Sequence, residues 1–386
     1  MEENIFFEIA IIIIVSSVTA WLSLYIKQPI IVGYILAGVM LGPWGLKAIP
    51  DIHFIDQTSH IGVTLLLFLA GLALEPHRII KLFRNSLLLT VISSGLFAAI
   101  TGLSALIFNF SLLESAIIGT AFMFSSTILV IKLLPTTTLH QKHMGAISIA
   151  VLILQDIIAV MVLLFIKGGE SHTVLGWVKI FIAGFILTVS AILFEKYFFR
   201  KVMKKMEHFQ EVLYLFTLAW CFIYAIAADQ FGLSHEIGAF IAGVALASNP
   251  LALYLLEGLR FFRDFFLVLF FFSLGARLDL GIIQSILVPA FFISAVILIS
   301  KPAVYYIGFR LMQEKQKFSF EMSSRLGQAS EFSLIIGFFA FTASIIGEKS
   351  FQLIQLTTII TMIISSYIVV LLFPTPLSTN IKLKQD

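Results

Sequence analysis

Long apolar runs recur along this chain, and they restrict its fold more than any other feature. From IFFEIAIIIIVSSVTAWLSLY near the start to FQLIQLTTIITMIISSYIVVLLF near the end, they are separated only by short Pro, Gly or charged punctuation. A bilayer core takes about 20 apolar residues per helical crossing. With mean hydropathy +1.03, 59% hydrophobic and 12% charged residues, the chain reads as an integral membrane protein. Lipid offers no partner to backbone N–H and C=O groups, so only helices and closed barrels span it. These runs lack the alternation and the roughly ten-residue period of a barrel. The expectation is therefore an all-α fold, with apolar segments at about 5–25, 29–45, 59–75, 85–109, 112–134, 145–166, 174–195, 210–231, 235–248, 262–280, 284–309, 326–346 and 351–373, thirteen transmembrane helices in all. The opening MEENIFFEIA is acidic where a signal peptide is basic, so it is read as the first helix.

Lys and Arg favour the cytoplasmic side of a membrane. Of the 25 here, nineteen fall after odd-numbered segments or in the tail. Lys47, Lys167, Lys179, Arg277 and Lys349 fall on the other side, and Lys301 lies within a span. That bias predicts a multi-pass protein of the cell membrane with its N-terminus outside and its C-terminus cytoplasmic. The single Cys221 excludes an intrachain disulfide and is read as a buried apolar residue. Eight histidines without HExxH spacing, no cysteine pair and no phosphate loop argue against a metal centre, a cofactor or nucleotide hydrolysis. The chain is accordingly not read as an enzyme or a nucleic-acid binder.

An internal repeat is visible. VGYILAGVML at 32–41 matches IGAFIAGVAL at 237–246, and FLAGLALE at 68–75 matches FSLGARLD at 272–279, pairing Gly33 with Gly238, Gly71 with Gly275 and Glu75 with Asp279. The step spans seven helices, so the second copy would lie inverted in the membrane, a pattern of secondary transporters.

The chemistry is expected where charge enters the apolar runs. VLILQDIIAVMVLLF at 151–165 carries Gln155 and Asp156, and an intramembrane carboxylate is costly enough to suggest function by itself. The fifth segment has Ser125, Ser126 and Thr127 at its middle, and the twelfth has Gln328, Ser330 and Glu331 near its start. Unwound backbone there would offer carbonyl oxygens to a cation; the plainer alternative is hydroxyls bonding back to their own helix and Glu331 as a packing charge. Lys301, followed by Pro302, needs a partner, and Asp156 is the obvious one. The pair is then either a staple between two helices or a competition in which a proton or cation displaces the lysine. Gln155 cannot share a helical face with its neighbour, so it is expected to brace a broken helix or a cavity wall. Glu8, Glu114, Glu195 and Asp229 are read as structural or entry-path charges.

Taken together, PIIVGYILAGVMLGP, SSTILVIKLL, LQDIIAV, IGAFIAGVALA, FFFSLGARLDL, Lys301 and RLGQASEF resemble the second monovalent cation:proton antiporter family in its Kef-type branch, over about residues 5–373. The resemblance implies an inverted-repeat antiporter fold in which helices 5 and 12 are crossed and discontinuous. It implies a homodimer with a dimer domain at 1–82 and 207–282, a moving core at 83–173 and 283–373, a linker helix at 174–206 and a tail at 374–386. Asp156 matches the family's cation/proton aspartate, binding Na⁺ or K⁺ in turn with H⁺, helped by Thr127, Ser126 and Gln155, with Lys301 as charge partner and Gln328, Glu331 and Ser125 in support. Ala329 departs from the glycine usual between Gln and Glu in this motif. With no room for a regulatory nucleotide-binding domain, the chain is similar to short stand-alone members, including spore-germination antiporters. The expected function is Na⁺ or K⁺ exchange for H⁺, with a role in pH homeostasis. A Kef-style K⁺ channel and a Na⁺-coupled organic solute symporter are the alternatives.

Overall fold

The computed structural model describes residues 5–26, 28–49, 52–74, 76–133, 146–168, 174–206 and 209–375. Glu75 and the tail beyond Thr375, both used above, lie outside them, as do Lys27 and Lys142 of the basic residues counted above. The described residues are helical, with no β-strand. Among the described residues, six helices are long and apolar enough to cross a membrane: Phe6–Tyr25, Ser86–Leu106, Val178–Lys205, Gln210–Gln230, Gly281–Leu311 and Glu348–Leu372. Six more apolar helices have only 10–17 residues. The expectation of thirteen transmembrane helices is thereby corrected to about six. Hydropathy measures how long a run stays apolar and is blind to where its helix stops. The run at 29–45 holds the 12-residue helix α2 (Ile30–Leu41) and that at 235–248 holds α11 (His235–Leu246), also 12 residues. At 1.5 Å per residue each is about 18 Å long, well short of a hydrocarbon core. The run at 112–134 is two helices, α5 (Leu112–Ala121) and α6 (Thr127–Leu133), with non-helical backbone between them.

The residues form two compact units. One comprises 1–50, 80–162 and 274–386. It contains α1 (Ile5–Tyr25), α2, most of α4 (Pro76–Leu106), α5, α6, most of α7 (Ala146–Gly168), α14 (Leu280–Leu311), α15 (Gln316–Arg325), α16 (Glu331–Thr342) and α17 (Glu348–Leu372). The other comprises 51–79 and 163–273. It contains α3 (Ile52–Leu72), α8 (Val174–Phe194), a π-turn at Glu195–Phe199, α9 (Arg200–Met206), α10 (Gln210–Gln230), α11, α12 (Ala252–Gly258) and most of α13 (Arg260–Ala276). In the second unit Trp220, Tyr224 and Phe199 pack with tilted rings in a buried core, and the Trp220 indole donates to the Ala242 carbonyl at 3.0 Å. Cys221 is buried there. Glu195, also buried, is held by Arg200 at 3.1 Å and by the Asn249 amide at 2.8 Å.

The sequence repeat carries a contact repeat. α1 and α10 begin 205 positions apart, as do α2 and α11; α5 and α15 begin 204 apart, as do α6 and α16. In the first unit Gly33 lies against the Thr19 carbonyl of α1, and in the second its match Gly238 lies against the Tyr224 carbonyl of α10. Gly71 abuts the Phe240 carbonyl of α11, while its match Gly275 abuts the Ile35 carbonyl of α2. In each pair the touched residues are themselves 205 apart. A Cβ at any of these four glycines would enter the neighbouring backbone, which is why small residues recur there.

Candidate functional site

The first unit holds two interrupted helices, α5/α6 broken at 122–126 and α15/α16 broken at 326–330. Serines restart both. Ser126 Oγ accepts from Leu129 N–H at 3.1 Å, and Ser330 Oγ accepts from Phe332 N–H at 3.1 Å. These are N-caps, giving an otherwise orphaned amide a partner inside an apolar region. Ser125 joins the two breaks, its hydroxyl donating to the Leu326 carbonyl at 2.8 Å.

Gln155, on α7, spends its amide on the first break. Its Nε2 donates to Met123 O at 3.0 Å and to the Tyr305 hydroxyl at 2.8 Å, and its Oε1 accepts from Ser125 N–H at 3.0 Å. Gln328 is fixed in the second break by Ser365, whose hydroxyl donates to its Oε1 at 3.2 Å. Ala329 N–H donates to Thr361 Oγ1 at 3.3 Å, so the backbone at this alanine is anchored to α17.

Lys301 is fully buried and its partner is not the expected one. Its ammonium donates to the Phe124 carbonyl in one break and, at 3.1 Å, to the Gln328 carbonyl in the other, and it stands 5.3 Å from the centre of the Phe97 ring. Among the described residues it forms no ion pair with a carboxylate, Asp156 included. The physical reason is the pair of breaks: each leaves carbonyls outside the helical ladder, and an ammonium satisfies two of them at once.

Asp156 lies deep in the protein and is half-buried. Two side chains bear on it electrostatically, the Thr127 hydroxyl and the Glu331 carboxylate. Thr127 Oγ1 is buried without a partner in hydrogen-bond geometry, although it stands beside that carboxylate. Thr127 and Glu331 are the first residues of α6 and α16, where helix dipoles favour negative charge. The structure thus gathers Asp156, Thr127 and Glu331 into one cluster, and assigns Gln155, Ser125, Ser126 and Lys301 to holding the breaks. The sequence reading missed Tyr305, Phe97, Thr361 and Ser365. Tyr305 had a signal: it sits four residues after Lys301, on the same helical face.

At the end of α15, Arg325 is buried and ties three chain segments together. It pairs with Glu321 at 2.7 Å and donates to Leu133 O at 2.6 Å and Pro374 O at 2.7 Å. At the start of α5, Glu114 forms a capping box with Ser111 and reaches Ser350 at 2.7 Å and Gly347 N–H at 3.4 Å.

A model of the transmembrane sodium/hydrogen exchanger family matches residues 11–374. The chain belongs to that family. It is therefore a multi-pass membrane transporter and not an enzyme. It is 27% identical over 369 residues to K(+) efflux antiporter 5 of Arabidopsis thaliana, covering 92% of this chain and 64% of that one. It is 29% identical over 354 residues to the glutathione-regulated potassium-efflux system protein KefC of Escherichia coli, covering 89% and 56%. The iron transporter MagA of Paramagnetospirillum magneticum is 27% identical over 351 residues, with 89% and 80% covered. The chain thus spans less than two thirds of the length of the plant antiporter and of KefC. The sodium proton antiporter MjNhaP1 of Methanocaldococcus jannaschii superimposes with TM-score 0.69 over 94% of this chain and 96% of its own, at 16% identity, which shows a shared fold.

Proposed function

We propose that this protein is a secondary antiporter of the Kef branch, exchanging Na⁺ or K⁺ for H⁺ by alternating access. The observation that carries the reading is the Asp156 cluster: a half-buried carboxylate deep in the protein, beside the Thr127 hydroxyl and within electrostatic reach of Glu331. Two carboxylates that feel each other in a low-dielectric interior call for a cation or a proton near them. The Thr127 hydroxyl supplies a further oxygen for a dehydrated cation. A site that must hold one ion or the other while it changes access gives obligatory exchange.

Lys301 keeps its charge on the break carbonyls in this scheme, so Asp156 trades one proton for one cation and exchange is electroneutral. The proposal extends to a plasma-membrane homodimer with its N-terminus outside and C-terminus inside, in which 83–173 and 283–373 move against 1–82 and 207–282. The experiment is pH-gradient dequenching in proteoliposomes with Na⁺, K⁺, Li⁺ and Rb⁺, with and without an ionophore voltage clamp. Wild type is expected to move protons in response to cation, independently of the clamp. Asp156→Asn is expected to purify with an unchanged elution profile and to lose all cation-dependent proton movement. Retained exchange in that variant would remove Asp156 from its central place, and current without proton coupling would favour a channel.

A further inference from the structure

The surroundings of Lys301 carry an inference separate from the Asp156 site. Its ammonium is held by two backbone carbonyls and an aromatic face, with no carboxylate among its described partners. Carbonyl oxygens and a ring face are what proteins present to free monovalent cations. The two carbonyls are also related: Phe124 and Gln328 are 204 positions apart, the step that separates α5 from α15 and α6 from α16. Lys301 itself lies 204 positions after Phe97, the ring it stands over. The repeat therefore brings two equivalent carbonyls to one point. Phe97 of the first copy supplies an apolar wall there, and its match in the second copy supplies a positive charge.

We infer that the Phe124 and Gln328 carbonyls and the Phe97 ring form a second monovalent-cation site, distinct from Asp156, which the protein fills with its own Lys301 ammonium. Its ligand class is a small primary ammonium or an alkali cation of similar size. The lysine is then a tethered occupant that holds the two breaks together. The site does not depend on what the protein transports.

Truncation followed by chemical replacement tests this. Lys301→Ala removes the atoms of a propylammonium, so thermal unfolding of the purified variant is followed in n-propylammonium chloride against tetramethylammonium chloride, which has no N–H to donate. Lys301→Met keeps most of the stem and removes the charge; it is titrated with ammonium and potassium chloride against the same control. Each variant is expected to melt below wild type. Each should recover most of the lost Tm in its matching cation, saturably, and by more than any shift the same cation gives wild type through Asp156. Equal responses of wild type and variants, or no preference over tetramethylammonium, would overturn the inference. If the variants are extracted only as aggregates, extraction in the two salts gives the same reading. Monodisperse protein in propylammonium for Lys301→Ala, or in ammonium for Lys301→Met, supports the site, and aggregate in every salt overturns it.

Discussion

Replacing Gln155 tests whether the first break is held as the structure shows. The amide makes three hydrogen bonds of 2.8 to 3.0 Å, two of them to backbone groups of the break, Met123 O and Ser125 N–H. Gln155→Leu keeps the volume and removes the polar atoms, so a buried N–H and a buried C=O both lose this partner. Each such loss costs about 1–3 kcal/mol, giving roughly 2–6 kcal/mol for the pair. Tyr305→Phe removes one bond at the edge of the network and should cost about 1 kcal/mol. Thermal unfolding in detergent at fixed pH and salt should rank wild type above Tyr305→Phe and that above Gln155→Leu. In proteoliposomes a slackened break displaces Thr127 from Asp156, so Gln155→Leu should raise the cation KM more than Tyr305→Phe does. A Gln155→Leu protein that melts with wild type would refute the reasoning, because the break would then be held by something other than this amide.

The repeat contacts make a paired prediction: Gly71→Ala and Gly275→Ala each push a methyl group into a carbonyl of the neighbouring helix and should each cost about 1–3 kcal/mol. Gly95→Ala, where a Cβ meets nothing within 4 Å, should be neutral or gain up to about 1 kcal/mol of helix propensity. Similar melting temperatures for all three would contradict the close approach. Glu114, outside the spanning helices, gives a pH dependence. Burial opposes its charge, but hydrogen bonds from Ser350, Ser111 and Gly347 outweigh that and hold its pKa below the ordinary 4.5. A carboxyl with a lowered native pKa stabilises fully above its unfolded value and loses that contribution as pH falls through the native one. The Tm gap between wild type and Glu114→Gln should therefore be constant near neutrality and close at acid pH; a gap that widens on acidification would show the opposite sign.

Much of the scaffold was legible because it depends on side-chain size and polarity, which sequence displays. Gly33, Gly71, Gly238 and Gly275 were found as a spaced pattern, and the structure shows the backbone approach that spacing serves. Gln155 was legible as a brace because it cannot share a face with Asp156. The helix count was not legible, since an apolar run does not show where its helix stops: breaks in the fifth and twelfth segments were expected from the sequence, but the 12-residue lengths of α2 and α11 were not. The partner of Lys301 was hidden for a related reason. Opposite charges suggest each other on paper, whereas a carbonyl freed by a break has no letter in the sequence.

The repeat also explains why the chemistry gathers where it does. Ser126 and Ser330 cap matching helices, and Phe124 and Gln328 present matching carbonyls, each pair 204 positions apart. Had every residue matched, each charge would have a twin, and like charges would face each other without relief. The same step instead pairs Lys301 with Phe97, Glu331 with Thr127 and Asp156 with Ile360. Every one of those pairs has a charge on one side and none on the other. A doubled scaffold thus builds two like breaks, and three unlike pairs turn that near-symmetry into a cluster of two acid groups and an ammonium sealed on carbonyls. In the proposed exchange, an ion at Asp156 would draw on Thr127 of the first copy and Glu331 of the second, so movement at either break would alter its surroundings. That dependence on both copies is what alternating access requires of a binding site.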